Sequence, residues 1–218
     1  MTRTLRYGLS AVATLIVLTV IVGWWWLHSS LPLLDGELAS AISQPVHIER
    51  DARGVVTVKA KQRSDAAFAT GFVHAQDRYF QMDLNRRFAA GELAALFGEV
   101  ALERDKRQRR YQMRQRAAAA IEALPANYRE FLQAYVDGVN AGLSALGKKP
   151  FEYTLLGTDP APWVMADSVL VLAAMYFDLQ GSDPRIAMGL GRLQACFEPE
   201  VAEFLACLLY TSPSPRDS

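Results

Sequence analysis

The sequence predicts a mainly α-helical domain that begins with one short β-hairpin. Apolar residues alternate with polar ones on both sides of a turn sequence within residues 45–60, and beyond residue 64 they recur at helical spacing. An apolar run over residues 7–27 predicts a transmembrane signal anchor ahead of this domain.

The composition narrows the classes of function. A chain of 218 residues is long enough for one or two domains with a sizeable core. Its 23 Lys and Arg residues balance 23 Asp and Glu residues, so no overall charge attracts nucleic acid. The basic run "ERDKRQRRYQMRQR" is interpreted as a solvated helix, or as cations that pair with acidic residues elsewhere, rather than as a nucleic-acid patch, because the domain is expected outside the cytoplasm.

The apolar run predicts an inner-membrane anchor with the domain facing the periplasm or the cell exterior. Its 21 residues match the about 20 that a spanning helix needs. Arg3 and Arg6 precede the run and no Lys or Arg follows before Arg50, so residues 1–27 are interpreted as a short cytoplasmic tip followed by the anchor, which spans residues 7–27.

A cleaved signal peptide is the alternative to an anchor. The sequence "ASA" at residues 39–41 imitates a small-residue cleavage site, but it lies a dozen residues past the apolar run. Residues 28–44 are interpreted as a linker because they contain Pro32, Gly36 and several serines.

The two cysteines, Cys196 and Cys207, are expected to remain unpaired. Export would permit a disulfide, but on a single helix their spacing corresponds to about 16 Å, which is too far for a bond. The scattered histidines and these cysteines show no zinc-site spacing.

Each remaining element has its own signal in the sequence. "DARG" supplies the turn of the hairpin, and Ser64 can cap the first long helix, on which Phe80, Leu84 and Phe88 recur every four residues. Further helices are predicted at "GELAALFG" and over residues 101–123, 125–146 and 166–179.

The helix predicted over residues 166–179 is apolar nearly all round, so other protein should enclose it. "PAPW" separates it from the preceding chain, and Asp167 is placed to cap it. A hairpin with five helices has no evident way to cover this helix, which indicates that a partner segment is missing from the chain.

The stretch "GFVHAQDRYFQMDLNRR" concentrates polar side chains on a helix. Asp83 and Arg87 are four residues apart and can pair, whereas Asp77 and Asp83 are six apart and point to different faces. That spacing argues against two carboxylates that share acid–base work. We therefore interpret the stretch as a structural polar network.

An ordered series of motifs resembles the leading portion of the penicillin acylase family of N-terminal-nucleophile hydrolases. The motifs are "RDARGVV", "AFATGFVHAQDRYFQMD", "GELA", "AYVDGVNAGL" and "PAPW". Precursors of that family are cut into two chains. The resemblance implies that residues 45–207 are the helical A chain, which wraps a sheet-rich B chain in an αββα sandwich.

The resemblance implies hydrolysis of an acyl amide, such as a penicillin or an acyl-homoserine lactone. In the family the nucleophile is the first serine of the B chain, with its own α-amine as base, and the oxyanion donors also lie in that chain. Ser64, Ser168 and Ser182 carry no freed amine, so no catalytic residue is assigned here. This fragment of an exported precursor is therefore expected to be inactive alone. A membrane-anchored helical binding module without catalysis is the alternative.

The resemblance also implies that the helix after "PAPW" contributes side chains to the acyl pocket. Counting along the helix without a gap gives Tyr176, and matching the residue type gives Met175, with Leu179 or Gln180 one turn further on. Core packing is the alternative role for Met175 and Tyr176.

Many members of the family hold a structural calcium ion, for which Asp183 in "GSDPRIAMG" is the implied ligand here. A calcium site needs six or more oxygens, so the other ligands would belong to the missing part. No organic cofactor is implied. Residues 208–218 have no counterpart in the family and resemble foreign or read-through translation.

Overall fold

The computed structural model describes residues 3–28, 30–32, 34–40, 42–179 and 184–208. Over these residues the chain is mainly helical with one two-stranded antiparallel sheet, which confirms the predicted fold class. The strands are β1 (His47–Arg50) and β2 (Val56–Lys59). The helices are α1 (Arg3–His28), α2 (Arg63–Ala90), α3 (Ala94–Phe97), α4 (Leu102–Arg109), α5 (Met113–Glu122), α6 (Ala126–Ser144), α7 (Phe151–Leu155), α8 (Met165–Leu179), α9 (Pro184–Cys196) and α10 (Pro199–Leu208).

The hairpin forms where the sequence predicts it, within residues 45–60. Asp51 closes its turn, because one carboxylate oxygen accepts the backbone N–H groups of Arg53 and Val55 at 2.8 Å each. Gly54 has φ 80°, a left-handed conformation that glycine adopts without a steric cost.

Helices α2 and α6 pack against each other and form the main core of the chain. They approach closely because glycines lie at their contact. A Cβ atom on Gly138 would lie 1.9 Å from the carbonyl oxygen of Phe68, and one on Gly71 would lie 2.2 Å from the carbonyl oxygen of Tyr135. No larger side chain fits at either position.

Two helix predictions differ from the structure. Ser64 does not cap α2, because the helix begins one residue earlier, at Arg63, and no side chain caps its first turn. The single helix predicted over residues 101–123 is divided into α4 and α5. Gln112 between them has φ 53°, a left-handed conformation that ends regular helix.

The prediction of an inner-membrane anchor over residues 7–27 is wrong. Among the residues that the structure describes, no helix is long and apolar enough to cross a membrane. The orientation towards the periplasm or cell exterior depended on this anchor and is withdrawn with it.

The chain divides into two compact units, Met1–Ala174 and Met175–Ser218. The first contains the hairpin and the main core. In the second, α9 and α10 pack on each other. Cys196 ends α9 and is free and exposed, whereas Cys207 lies within α10, so the two cysteines do not share one helix as the sequence argument assumed.

Candidate functional site

Polar side chains from five separate segments of the sequence meet where α8 begins. They come from α2, the turn after it, α5, α7 and the first turn of α8. At the centre lie Asp83, Arg86 and Asp167, which are at most 4% exposed. Charged groups are stable at such depth only when they are paired and hydrogen-bonded.

Asp83 accepts three hydrogen bonds. The Nε atoms of Arg86 and Arg87 donate at 2.7 and 2.9 Å, and the Tyr153 hydroxyl donates at 2.7 Å. The predicted pairing of Asp83 with Arg87 is therefore confirmed. Burial, followed by the hydrogen bond to Asp83, raises the pKa of Tyr153, so its hydroxyl remains a protonated donor.

Arg86 joins the two buried carboxylates. Its Nη1 atom donates to Asp167 Oδ2 at 2.6 Å, in addition to the bond from Nε to Asp83. Burial alone would lower the pKa of this guanidinium, but the charge of Asp83 and the neighbouring Tyr79 and Asp167 outweigh burial, and the pKa is raised. Arg86 is thus a permanent cation in this site.

Arg86 also fixes the "PAPW" loop. Its Nη2 atom donates to the carbonyl of Ala161 at 2.8 Å, and its Nη1 atom donates to the carbonyl of Pro162 at 2.9 Å. The guanidinium carbon lies 4.9 Å from the ring centre of Trp163, within the range of a cation–π contact. Tyr79 donates to the carbonyl of Ala161 as well.

Asn140 of α6 holds the same loop from its other side. Its amide donates to the carbonyl of Trp163 at 2.9 Å and accepts the N–H of Trp163 at 2.8 Å. The indole N–H of Trp163 donates to Ser168 Oγ at 3.1 Å. The loop before α8 is therefore fastened by side chains of α2, α6 and α8.

Asp167 completes the network at the start of α8. Its Oδ2 atom accepts the N–H of Val164, the residue before the first helical residue, at 2.9 Å, which confirms its predicted capping role. Its Oδ1 atom accepts Arg114 Nη1 at 3.0 Å, and Arg114 binds Glu92 through two further bonds of 2.6 Å. Arg114 and Glu92 form the partly exposed rim of the network.

The network joins structural elements and does not form a catalytic arrangement of side chains. In the part of the chain that the structure describes, the hydrogen-bonded serine side chains contact a backbone carbonyl, a carboxylate or an indole rather than a histidine or an amine. Ser168 accepts from an indole, and Ser43 pairs with Asp65 at 2.8 Å. The backbone N–H of Ser43 lowers the pKa of Asp65, which makes this carboxylate a weaker base. His74 pairs with the Tyr135 hydroxyl at 3.0 Å instead of a nucleophile.

Met175, Tyr176 and Leu179, the residues predicted to contact an acyl group, lie in the last turns of α8. Their exposed fractions are 55%, 59% and 72%, so this chain does not bury them in a core. Gln180 lies outside the described residues. A role of these side chains in acyl binding remains a prediction.

The predicted calcium ligand, Asp183, also lies outside the described residues. Within the described ranges, no group of three or more His, Cys, Asp or Glu side chains could hold a metal ion. Calcium binding therefore remains a prediction that no described cluster supports.

Comparisons with known proteins agree on one family. Residues 45–207 match the family model described as penicillin amidase. The chain is 44% identical over 147 residues to the penicillin acylase 2 proenzyme of Pseudomonas sp. (strain SE83), covering 67% of this chain and 19% of that protein. It is 36% identical over 152 residues to the acyl-homoserine lactone acylase QuiP of Pseudomonas aeruginosa, covering 69% of this chain and 18% of that protein.

A solved structure shows the same fold. The thermostable penicillin G acylase from Alcaligenes faecalis aligns with a TM-score of 0.60 and 26% identity, over 77% of this chain and 92% of that chain. The present chain spans about a fifth of the length of the curated relatives that it matches.

Proposed function

The chain belongs to the penicillin amidase family, and from this premise we propose that it is the helical A-chain segment of an acylase that hydrolyses acyl amides. The observation that carries the proposal is the match of residues 45–207, which includes the whole buried network. The relatives are named for removing acyl groups from penicillins or from homoserine lactones. A linear amide with an apolar acyl group is the substrate class common to both.

We propose that the nucleophile lies in a separate B chain. A serine at the start of that chain attacks the amide carbonyl with its Oγ atom. Its α-amine takes the hydroxyl proton and passes it to the nitrogen of the amine part of the substrate, which leaves as the C–N bond breaks. Water then hydrolyses the acyl ester and releases the acid. Three observations support this division. The chain spans a fifth of its relatives' length, it aligns with 92% of one chain of a solved acylase, and Ser43 and Ser168 bond to a carboxylate and an indole rather than to a histidine or an amine.

The role proposed for the present chain is to shape the acyl pocket. Leu172, Met175, Tyr176 and Leu179 expose apolar surface along α8, each more than half exposed. Apolar side chains grouped in this way mark a binding surface. In the proposed assembly this surface faces the B chain and the acyl group, and the buried network supports it from behind.

A chimaeric precursor tests the proposal. It carries residues 42–207 of this chain in place of the matching segment of the penicillin acylase 2 proenzyme of Pseudomonas sp. (strain SE83), which serves as the positive control. Phenylacetyl and octanoyl amides are assayed for released amine, with the chimaera and with the chain alone.

We expect hydrolysis by the processed chimaera and none by the chain alone. If the chimaera is processed but releases no amine while the parent enzyme does, the proposed contribution to an acylase is contradicted. If the chain alone turns over substrate and one Ser→Ala variant abolishes this, the proposed division between two chains is contradicted.

A further inference from the structure

We propose that Asp167 and Arg86 are positioning residues for acyl-chain selectivity, because they fix the direction in which α8 leaves the "PAPW" loop. The inference rests on the proposed function. It goes further by assigning a determinant of selectivity to a buried ion pair rather than to side chains that touch the acyl group.

The contacts at the start of α8 restrain the helix in several directions at once. Asp167 holds the N–H of Val164, while Arg86 holds the carbonyls of Ala161 and Pro162 and bonds to Asp167 itself. Arg86 belongs to α2, in the main core, so the bonds connect the first turn of α8 to the central helix of the first unit.

Stability alone does not explain such a pair. Removing two charges from water costs about as much as their attraction returns, and apolar replacements of similar volume are often as stable. The N–H groups of a guanidinium point in fixed directions, unlike the surface of an apolar side chain. They therefore define the angle between the elements that they join as well as the contact itself. Four such bonds from Arg86, to Asp83, Asp167, Ala161 and Pro162, set that angle here.

Because α8 is long, a small change in the angle at its first turn causes a large displacement of its last turn. The helix has 15 residues from Met165 to Leu179, which corresponds to about 20 Å. A tilt of about 10° at its first turn moves the last turn by about 3–4 Å, more than two carbon–carbon bonds. Met175 and Tyr176, predicted to contact the acyl group, lie in that last part of the helix.

The variant that tests the inference is Asp167→Asn in the chimaeric precursor. Asparagine keeps an oxygen for the N–H of Val164 but removes the charge that Arg86 and Arg114 face. The matched control is Asp65→Asn, the same change at another buried aspartate that accepts backbone N–H groups and lies in the first turn of α2.

Two quantities are measured for each variant. The first is the ratio of kcat/KM for octanoyl and phenylacetyl amides, with kcat and KM resolved. The second is hydrogen exchange of peptides within residues 161–174, which requires no turnover. We expect Asp167→Asn to change the ratio about fivefold or more through KM, with kcat within about twofold, and to speed exchange in these peptides. We expect Asp65→Asn to leave both the ratio of kcat/KM values and the hydrogen exchange of these peptides unchanged.

The inference is overturned if an active Asp167→Asn enzyme keeps the wild-type ratio of kcat/KM values, or if Asp65→Asn changes that ratio equally. Neither result would contradict the proposed function. A wild-type chimaera without activity would instead contradict the proposed function, and hydrogen exchange would still show whether Asp167 fixes the start of α8. If the Asp167→Asn precursor is not processed, the Arg114→Gln variant of the precursor tests the inference instead. It removes the partly exposed contacts of Arg114 to Asp167 and Glu92, leaves Arg86 in place, and should change the ratio in the same direction by about twofold.

Discussion

Asp65 and Asp167 act alike at the starts of two helices. Each is at most 3% exposed, lies in the first turn of its helix, and accepts backbone N–H groups of the preceding segment. Asp65 binds the N–H groups of Ser43 and Gln44 at 3.0 and 3.2 Å, which ties the segment before the hairpin to α2. A buried aspartate at a helix start is therefore a fastening point for the preceding loop.

The fastening by Asp65 predicts a dependence of stability on pH. The backbone N–H of Ser43 lowers the pKa of Asp65 in the folded chain. A lowered folded pKa contributes stability above the unfolded value of about 3.9, and this stability is lost as pH falls through the folded pKa. In urea unfolding of the full chain between pH 7 and pH 3, Asp65→Asn should therefore lose less stability on acidification than wild type. If wild type and Asp65→Asn lose the same stability on acidification, this role of Asp65 is contradicted.

Selectivity gives a second prediction at the scale of single residues. Met175→Ala or Tyr176→Ala, made in the chimaeric precursor, should shift preference towards bulkier acyl groups by about tenfold, because one missing methylene-sized group is worth about 1–3 kcal/mol in an apolar pocket. Both side chains are more than half exposed in this chain, as a pocket wall for another chain requires.

The control for these variants is Leu170→Ala, which removes a fully buried side chain of the same helix. It should lower the free energy of unfolding by about 2–5 kcal/mol and leave the ratio of specificity constants unchanged. If Met175→Ala and Tyr176→Ala behave like Leu170→Ala, these residues belong to a core and the predicted pocket is wrong.

The sequence revealed only the local part of the buried network. Asp83 and Arg87 are four residues apart on one helix, so their pairing follows from helix geometry. Arg86 and Asp167 are 81 residues apart, and Tyr153 lies 70 residues from Asp83, so these contacts depend on tertiary packing that spacing cannot predict. The usable signal was that Arg86 and Asp167 both lie beside motifs of the family pattern.

At the scale of elements, the contact between α2 and α6 determines the core. Backbone atoms of one helix occupy the space above glycines of the other, so the two axes approach without intervening side chains. Asn140 lies on α6 and Asp83 and Arg86 lie on α2, so this contact also sets the distance between the two sides of the "PAPW" loop. The network depends on that packing.

The glycine contact predicts a measurable loss. Gly138→Ala should lower the free energy of unfolding of the chain by at least about 2 kcal/mol, although alanine favours helix by about 1 kcal/mol, because its Cβ atom would meet the Phe68 carbonyl at 1.9 Å. Gly191→Ala in α9 is the control, since its Cβ meets nothing within 4 Å, and it should be neutral or stabilising. If chemical unfolding shows the same change in the free energy of unfolding for both variants, the close packing of α2 against α6 is contradicted.

Helices with an uninterrupted apolar period were predicted well, and the break in the basic run was not. The helix predicted over residues 166–179 differs from α8 by one residue at its start. The break at Gln112 was missed, because a left-handed conformation is uncommon for a residue other than glycine and local composition gives no sign of it.

At the scale of the whole molecule, a buried core is combined with exposed apolar side chains on α8. The core and the buried network are satisfied within residues 1–174, while α8 keeps exposed apolar side chains that the sequence predicted should be enclosed. The proposed function makes this chain a scaffold that works with a second chain. The central claim is that this chain shapes the site and the other chain carries the nucleophile.

Intact-mass measurement of the sulfonylated enzyme tests this claim most directly. The processed chimaera is treated with a serine-directed sulfonyl fluoride, and the two chains are separated and weighed. We predict that the chain starting with the nucleophilic serine gains the mass of one sulfonyl group, that hydrolysis stops, and that the mass of the present chain does not change. A stoichiometric adduct on the present chain that accompanies the loss of hydrolysis would contradict the account.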